Sequence, residues 1–127
     1  MTDKSLEEKA IDIKGKKYVL VSDRIKFFNE NFPQGSIQTQ LVSEPNDARV
    51  IIKAIVTPDH KEQNRFYTGF SQAVVGEGMV NKTAALENAE TSAVGRALAM
   101  MGIGVIDSVA SVDEMKKSGI SINDDDL

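Results

Sequence analysis

The sequence predicts an α+β fold, an antiparallel β-meander with helices packed on one face, in the order β-α-β-β-β-α-α. Three observations carry this. Strand-like segments at 36–42, 48–57 and 65–75 follow one another with no helix between them. A long alanine-rich helix comes after the strands rather than interleaved with them, over about 82–101. The connection at 44–47 is a turn, and that at 58–64 is polar and long for a hairpin but reasonable as one, which suits antiparallel neighbours.

Residues 1–15 are mixed polar and charged and read as a flexible N-terminal arm. Lys17 to Val21 (KYVLV) reads as a short strand. Ser22 or Asp23 is the expected cap of the next helix, because a short side-chain oxygen there accepts an orphan backbone N–H. Ile25, Phe28 and Phe32 follow at helical spacing, and Pro33 with Gly35 ends the helix. Ser36 to Val42 alternates, with Ile37, Thr39 and Leu41 on one side and Gln38 and Gln40 on the other. Ala48 to Thr57 (ARVIIKAIVT) is the strongest strand, rich in β-branched residues. Arg65 to Val75 is the third of the meander, and Gly69 within it marks a bulge or a close backbone approach.

In the long helix Leu86, Ala89, Ala93, Ala97 and Met101 form the expected core stripe, widened by Val94 and Leu98. Asn81 or Thr83 caps its start, and Gly102 stops it, with Ile103 placed for a Schellman contact. Ser111-Val112-Asp113-Glu114 is a capping box that announces a last helix ending near Gly119. The expected organisation is one domain over 16–119 and an acidic, disordered tail over 120–127. The alternative architecture is an OB barrel, which needs five strands. Here no strand follows the long helix apart from a short piece at Val105-Ile106.

The chain has 127 residues, 41% of them hydrophobic, which suits one domain with a modest core. Its net charge is −4, but Asp124, Asp125 and Asp126 stand together at the end. The remainder is close to neutral, and a local basic face stays open. With no cysteine, disulfides and thiolate metal sites are excluded. There is no signal peptide and no apolar run long enough for a bilayer, so no membrane partner is expected.

No enzyme, cofactor or metal site is expected. His60 is the sole histidine and lies in a turn beside Pro58 and Asp59, where a solvated surface residue is the default. No HExxH, Walker A, GxSxG or Rossmann glycine pattern occurs. The three terminal aspartates lack the preorganised geometry that holds a divalent cation.

Other features point to binding. Lys61, Arg65, Phe66, Tyr67 and Phe70 interleave cations with rings, as a surface for single-stranded nucleic acid does. Phe66 and Phe70 share a face and Tyr67 takes the other. The phenylalanines are read foremost as core, and Tyr67 as either a rim or a contact. Lys53 interrupts an apolar strand and needs a water-facing side, and Arg49 shares its parity. Such a face is either merely solvated or a phosphate track. On the long helix Asn88, Ser92 and Arg96 share a side away from the core stripe, and Lys82 stands at the helix start, where backbone N–H groups favour anions. Ala85, Ser92, Gly95 and Ala99 are small enough to admit a close neighbour.

The order strand, helix, three strands, long helix, with ENAETSAVGRAL and the SVASVDEM box, resembles phage single-stranded DNA-binding and single-strand annealing proteins of the Sak and Erf groups. The resemblance covers roughly residues 16–116. It implies sequence-independent binding of single-stranded DNA in phage recombination or replication, with or without annealing of complementary strands. It also implies a homo-oligomer in the cytoplasm of a bacterial host. The tail, with Asp124, Asp125, Asp126 and Leu127, resembles those by which bacterial single-stranded DNA-binding proteins recruit recombination or replication proteins, though it lacks the usual proline-phenylalanine ending. Arg49, Lys53, Arg65, Tyr67, Lys82 and Arg96 are the expected DNA contacts. The rival reading is a non-enzymatic protein-interaction module, a phage-encoded adaptor or inhibitor of a host protein. It rests on the net acidity, the tail and the small-residue helix side.

Overall fold

The computed structural model describes residues 3–76 and 78–106, with side chains over 5–76 and 84–106. Within them the order is α1 (Asp3–Glu8), β1 (Ile11–Ile13), β2 (Lys16–Tyr18), α2 (Val21–Asn31), β3 (Ser36–Leu41), β4 (Arg49–Thr57), β5 (Tyr67–Val74) and α3 (Gly78–Met100). β3, β4 and β5 form an open antiparallel meander, and β1 and β2 a separate small hairpin, so the α+β class holds and no barrel closes among the described residues. The capping box at 111–114 and the helix it announces, like the acidic tail, lie outside the described residues.

The N-terminal region differs from the expected loose arm. Lys14 and Gly15 both have positive φ, 52° and 84°, and make a two-residue turn between Ile13 and Lys16. Backbone twist at such a turn matches that of the strands it joins. Asp12 Oδ1 accepts the Gly15 N–H at 2.9 Å. Leu6 of α1 is fully buried in the main core, and Lys9 reaches Asp23 of α2 at 4.0 Å. The strand expected over 17–21 is displaced to Lys16–Tyr18, because Val21 already opens α2. Leu20 takes the cap position in extended conformation without a side-chain cap, and Ser22 and Asp23 fall inside the first turn.

α2 buries Phe27 and Phe28, and Phe28 stacks on Phe32 with centroids 5.2 Å apart. α3 crosses the meander mainly over β4 and β5, and alternate residues of β4 (Ile52, Ala54 and Val56) are buried beneath it. The close approach is built at Gly69. A Cβ there would stand 2.5 Å from both the Ala93 carbonyl oxygen and the Ala97 nitrogen, so only glycine fits.

That closeness sets which side of α3 is core. Ala85, Ala89, Ala93 and Ala97, at steps of four, lie against the sheet, and Ser92 is buried beside them. Leu86, expected in this stripe, is 49% exposed, because a helix seated this near the sheet has room only for small side chains under it. Ser92 is likewise not on a working face with Asn88 and Arg96. Gly95 admits the close neighbour, which is Val21 of α2. α3 is broken at Ala84 (φ −137°, ψ 35°), just after Thr83, one of the two expected caps.

The end of α3 is as expected. The Gly102 N–H donates to the Ala99 carbonyl at 2.9 Å and the Ile103 N–H to the Leu98 carbonyl at 3.0 Å, with Gly102 at φ +95°. This is a Schellman stop, and Ile103 is buried. Arg24, which sequence reasoning passed over, is buried at this end of the molecule. Its Nε donates to the Val19 carbonyl and its Nη1 to the Gly95 carbonyl, both at 3.1 Å, and Gly104 lies against its side chain.

Candidate nucleic-acid interface

Helices cover one side of the meander, and among the described residues nothing covers the other side, called here the open face. Strand alternation decides what the open side presents. Because Ile52, Ala54 and Val56 face the helices, Arg49, Ile51, Lys53, Ile55 and Thr57 face away. Register then adds Ser36, Gln38 and Gln40 from β3, and Thr68, Phe70, Gln72 and Val74 from β5. Among the described residues, the strand positions of this face hold two cations and no carboxylate, in a chain with 19 acidic and 15 basic residues. It is the local basic face that the net charge conceals.

Lys53 and Phe70 are directly opposite across the β4–β5 ladder. The ammonium lies 5.8 Å from the ring centroid, a cation–π contact. Phe66 and Phe70 are 52% and 51% exposed. Large rings held out in water do not contribute to the core, so the reading of these phenylalanines as core is corrected. Core volume on β5 is filled instead by the helix, which comes so close that Gly69 and Ala73 are the buried residues of that strand.

At one end of the open face the β4–β5 loop forms the wall of a recess of about 370 Å3, lined by residues including Gln38, Lys53, Ile55, His60, Gln63 and Phe66. The loop is tied down. The His60 N–H donates to the Gln34 carbonyl at 2.9 Å, and the ring Nδ1 lies 3.1 Å from the same oxygen. Asp59 Oδ1 accepts the Lys61 N–H at 3.0 Å, an Asx turn. His60 is exposed, as a solvated turn residue would be, yet it also has a fixed place in the recess wall.

The six expected contact residues do not converge on one surface. Arg49 and Lys53 share the open face, four residues apart on β4, about 13 Å along the strand. Arg65 is exposed in the loop that enters β5, next to Phe66. Tyr67 has the parity of Gly69 and lies, half-buried, on the helix side. Arg96 belongs to α3, its backbone against Gly69 and its side chain half-buried. Lys82 stands on the first turns of α3, before the break at Ala84. Asp124, Asp125, Asp126 and Leu127 lie outside the described residues.

The helix side offers a different chemistry. A cleft among α2, β3 and α3 is lined by Ile25, Asn29, Thr39 and Glu90, among others. Glu90 accepts the Thr39 hydroxyl at 2.7 Å. Glu87 and Glu90 are both exposed along that stretch of helix. Carboxylates there repel a phosphate backbone, whereas the described residues of the open face include none.

Sequence reasoning missed Gln38, Gln63 and the exposed position of both phenylalanines. The signal was present in part: Gln38 and Lys53 lie on the polar parity of their strands, and Phe66 and Phe70 share a parity that Gly69 does not.

No curated protein and no solved structure matches the chain. A family model does match, over residues 25–101, described as Slr1353 N-terminal dsRNA-binding domain-like. This overturns the resemblance to phage single-strand annealing proteins. The ENAETSAVGRAL segment that carried it is explained by packing, since Ala93 and Ala97 seat Gly69, and Gly95 seats Val21. Small residues at these positions report a close helix, which unrelated families share. Among the described residues, no helix is long and apolar enough to cross a membrane. With the match running from the first turns of α2 to the end of α3, the chain belongs to the Slr1353 N-terminal dsRNA-binding domain-like family.

Proposed function

We propose that this chain is a non-catalytic nucleic-acid-binding module that holds a single strand, DNA in the first instance, on the open face of the meander. One observation carries the reading: Arg49, Lys53 and two half-exposed phenylalanines lie on or beside a face that has no carboxylate among the described residues. Cations meet phosphates, and rings stack bases regardless of sequence. Arg65 extends the cationic track toward the loop. Single-stranded DNA handled during recombination or replication is the partner class with this chemistry. A second reading, duplex RNA, is favoured by the family's description, and a duplex would be met by shape and backbone contacts rather than by stacking.

Anisotropy titrations with labelled oligo-dT, oligo-U and a duplex RNA of about 16 base pairs, across a salt series, test both. The expected result is tighter binding of the single strands, weakening as salt rises. Replacing Arg49 and Lys53 together with alanine should reduce the log–log salt slope by about 1.4, from about 0.7 per phosphate contact on a single strand. Preference for the duplex, with a slope indifferent to the double substitution, would favour the second reading. Absence of binding to all three at low salt would sink both and leave a protein-interaction module.

A further inference from the structure

The recess at the end of the open face has a chemistry of its own. Its walls are mostly polar hydrogen-bonding side chains, His60 among them, with one phenyl ring (Phe66), one aliphatic side chain (Ile55) and one ammonium (Lys53). Among the described residues no carboxylate lines it, so these walls do not suit a metal ion. A single ammonium does not make a cluster for a bare phosphate either. A flat wall beside amides that both donate and accept suits a planar, uncharged heterocycle with a polar edge. Its volume of about 370 Å3 is that of a small-ligand pocket, at the lower end of the range of about 300–1,000 Å3.

The walls are also fixed in advance. The His60 ring Nδ1 lies 3.1 Å from the Gln34 carbonyl oxygen, which accepts a hydrogen bond from the tautomer protonated at Nδ1. The loop bearing His60 and Gln63 is braced by two further backbone bonds, from the Glu62 N–H to the Asp59 carbonyl and from the Arg65 N–H to the Glu62 carbonyl, at 2.9 and 3.0 Å. Lys53 lines the recess and leans on Phe70, so it lies between the recess and the second ring.

We infer that this recess holds one nucleobase, stacked on Phe66, with its polar edge read by Gln38 and Gln63 and its phosphate met by Lys53. The inference rests on the reading of the open face as a strand-binding surface and deepens it: stacking on Phe70 is indifferent to the base, whereas the recess selects one. The base can come from a strand or from a free nucleotide, and the two sources are separable.

The test compares labelled oligo-dT with an oligomer of the same length whose residues are all abasic, which keeps the phosphates and removes the bases. The full chain should bind oligo-dT about tenfold or more tightly than the abasic oligomer, the scale of one or two stacked bases. Phe66→Ala should remove most of that ratio while the abasic oligomer binds as before. The double variant Gln38→Ala with Gln63→Ala should bring oligo-dT, oligo-dC and oligo-dA closer to equal affinity. Thermal melts of each variant verify folding, which exposed positions should leave intact. Thymidine monophosphate, added as competitor at millimolar concentration, identifies the source. Displacement of the strand means the recess takes a free nucleotide, and absence of displacement means it takes a base only within a strand.

Equal binding of oligo-dT and the abasic oligomer would overturn the base recess, and base stacking on Phe70 with it, while leaving the cationic contacts of the open face with phosphates standing. A Phe66→Ala variant that weakens both oligomers equally would overturn it as well. If neither oligomer binds, the strand-binding reading itself has failed, a result distinct from the other two.

Discussion

The two sides of the meander are made from alternate residues of the same strands, and they follow opposite rules. On the helix side, Gly69 leaves no space for even a methyl group, and the residues beneath α3 are small or β-branched. On the open side, Phe66, Phe70 and Lys53 carry large groups that no described helix covers. The first side holds the fold together, and its side chains are set by the space available. The open side contributes little to the core, so its rings and cations are free to serve binding.

That contrast can be broken in order of size. The largest expected loss comes from Arg24→Met, which keeps the aliphatic stem but removes hydrogen bonds to the Val19 and Gly95 carbonyls. Two charge-assisted bonds in a buried place put the loss on the order of 3 kcal/mol, measured by urea denaturation. Next is Gly69→Ala, where the new methyl meets backbone atoms of α3 that cannot rotate away. A loss of about 1–3 kcal/mol is expected, and a smaller one would mean that α3 slides easily on the sheet.

The open side should respond differently. Phe70→Ala should cost below about 1 kcal/mol of stability, the scale of one cross-strand pair and an exposed cation–π contact. Its affinity for oligo-dT should nonetheless fall several-fold. Smallest is Leu86→Gln on the exposed flank of α3, expected within about 0.5 kcal/mol because helix propensity is similar and no core contact is lost. If Leu86→Gln destabilises as strongly as Gly69→Ala, the division of α3 into a packed side and a free side is mistaken.

These differences also explain what could be read from the chain alone. The meander, its antiparallel order and the stop at Gly102 were legible because each rests on local signals: alternation, turn residues, and glycine at a positive φ. The small N-terminal hairpin was not, because its turn is Lys14-Gly15 rather than an Asn-Gly or Asp-Gly pair. Most of the core stripe of α3 was legible, since Ala89, Ala93, Val94, Ala97 and Leu98 are buried as their spacing implied, but Leu86 was not, because the close approach over the sheet favours alanine on that side. The side of β4 on which Arg49 and Lys53 lie was legible because a cation within a β-branched strand needs water. Phe66 and Phe70 were not, since a ring at strand spacing fits either a core or a platform. Only the position of α3, set by long-range contacts with Gly69, distinguishes the two.

The clamp at Arg24 has a consequence for anyone who excises this domain. The stretch recognisable by family, 25–101, starts one residue after Arg24 and stops before Gly102, Ile103 and Gly104. A fragment cut at those bounds keeps the Gly95 carbonyl but loses the guanidinium that meets it, the Val19 anchor and the helix stop. Such a fragment should exchange its α3 amides far faster than one spanning 3–106. What is recognisable by sequence is thus shorter than what is mechanically closed, and the difference lies in a few residues beyond each end.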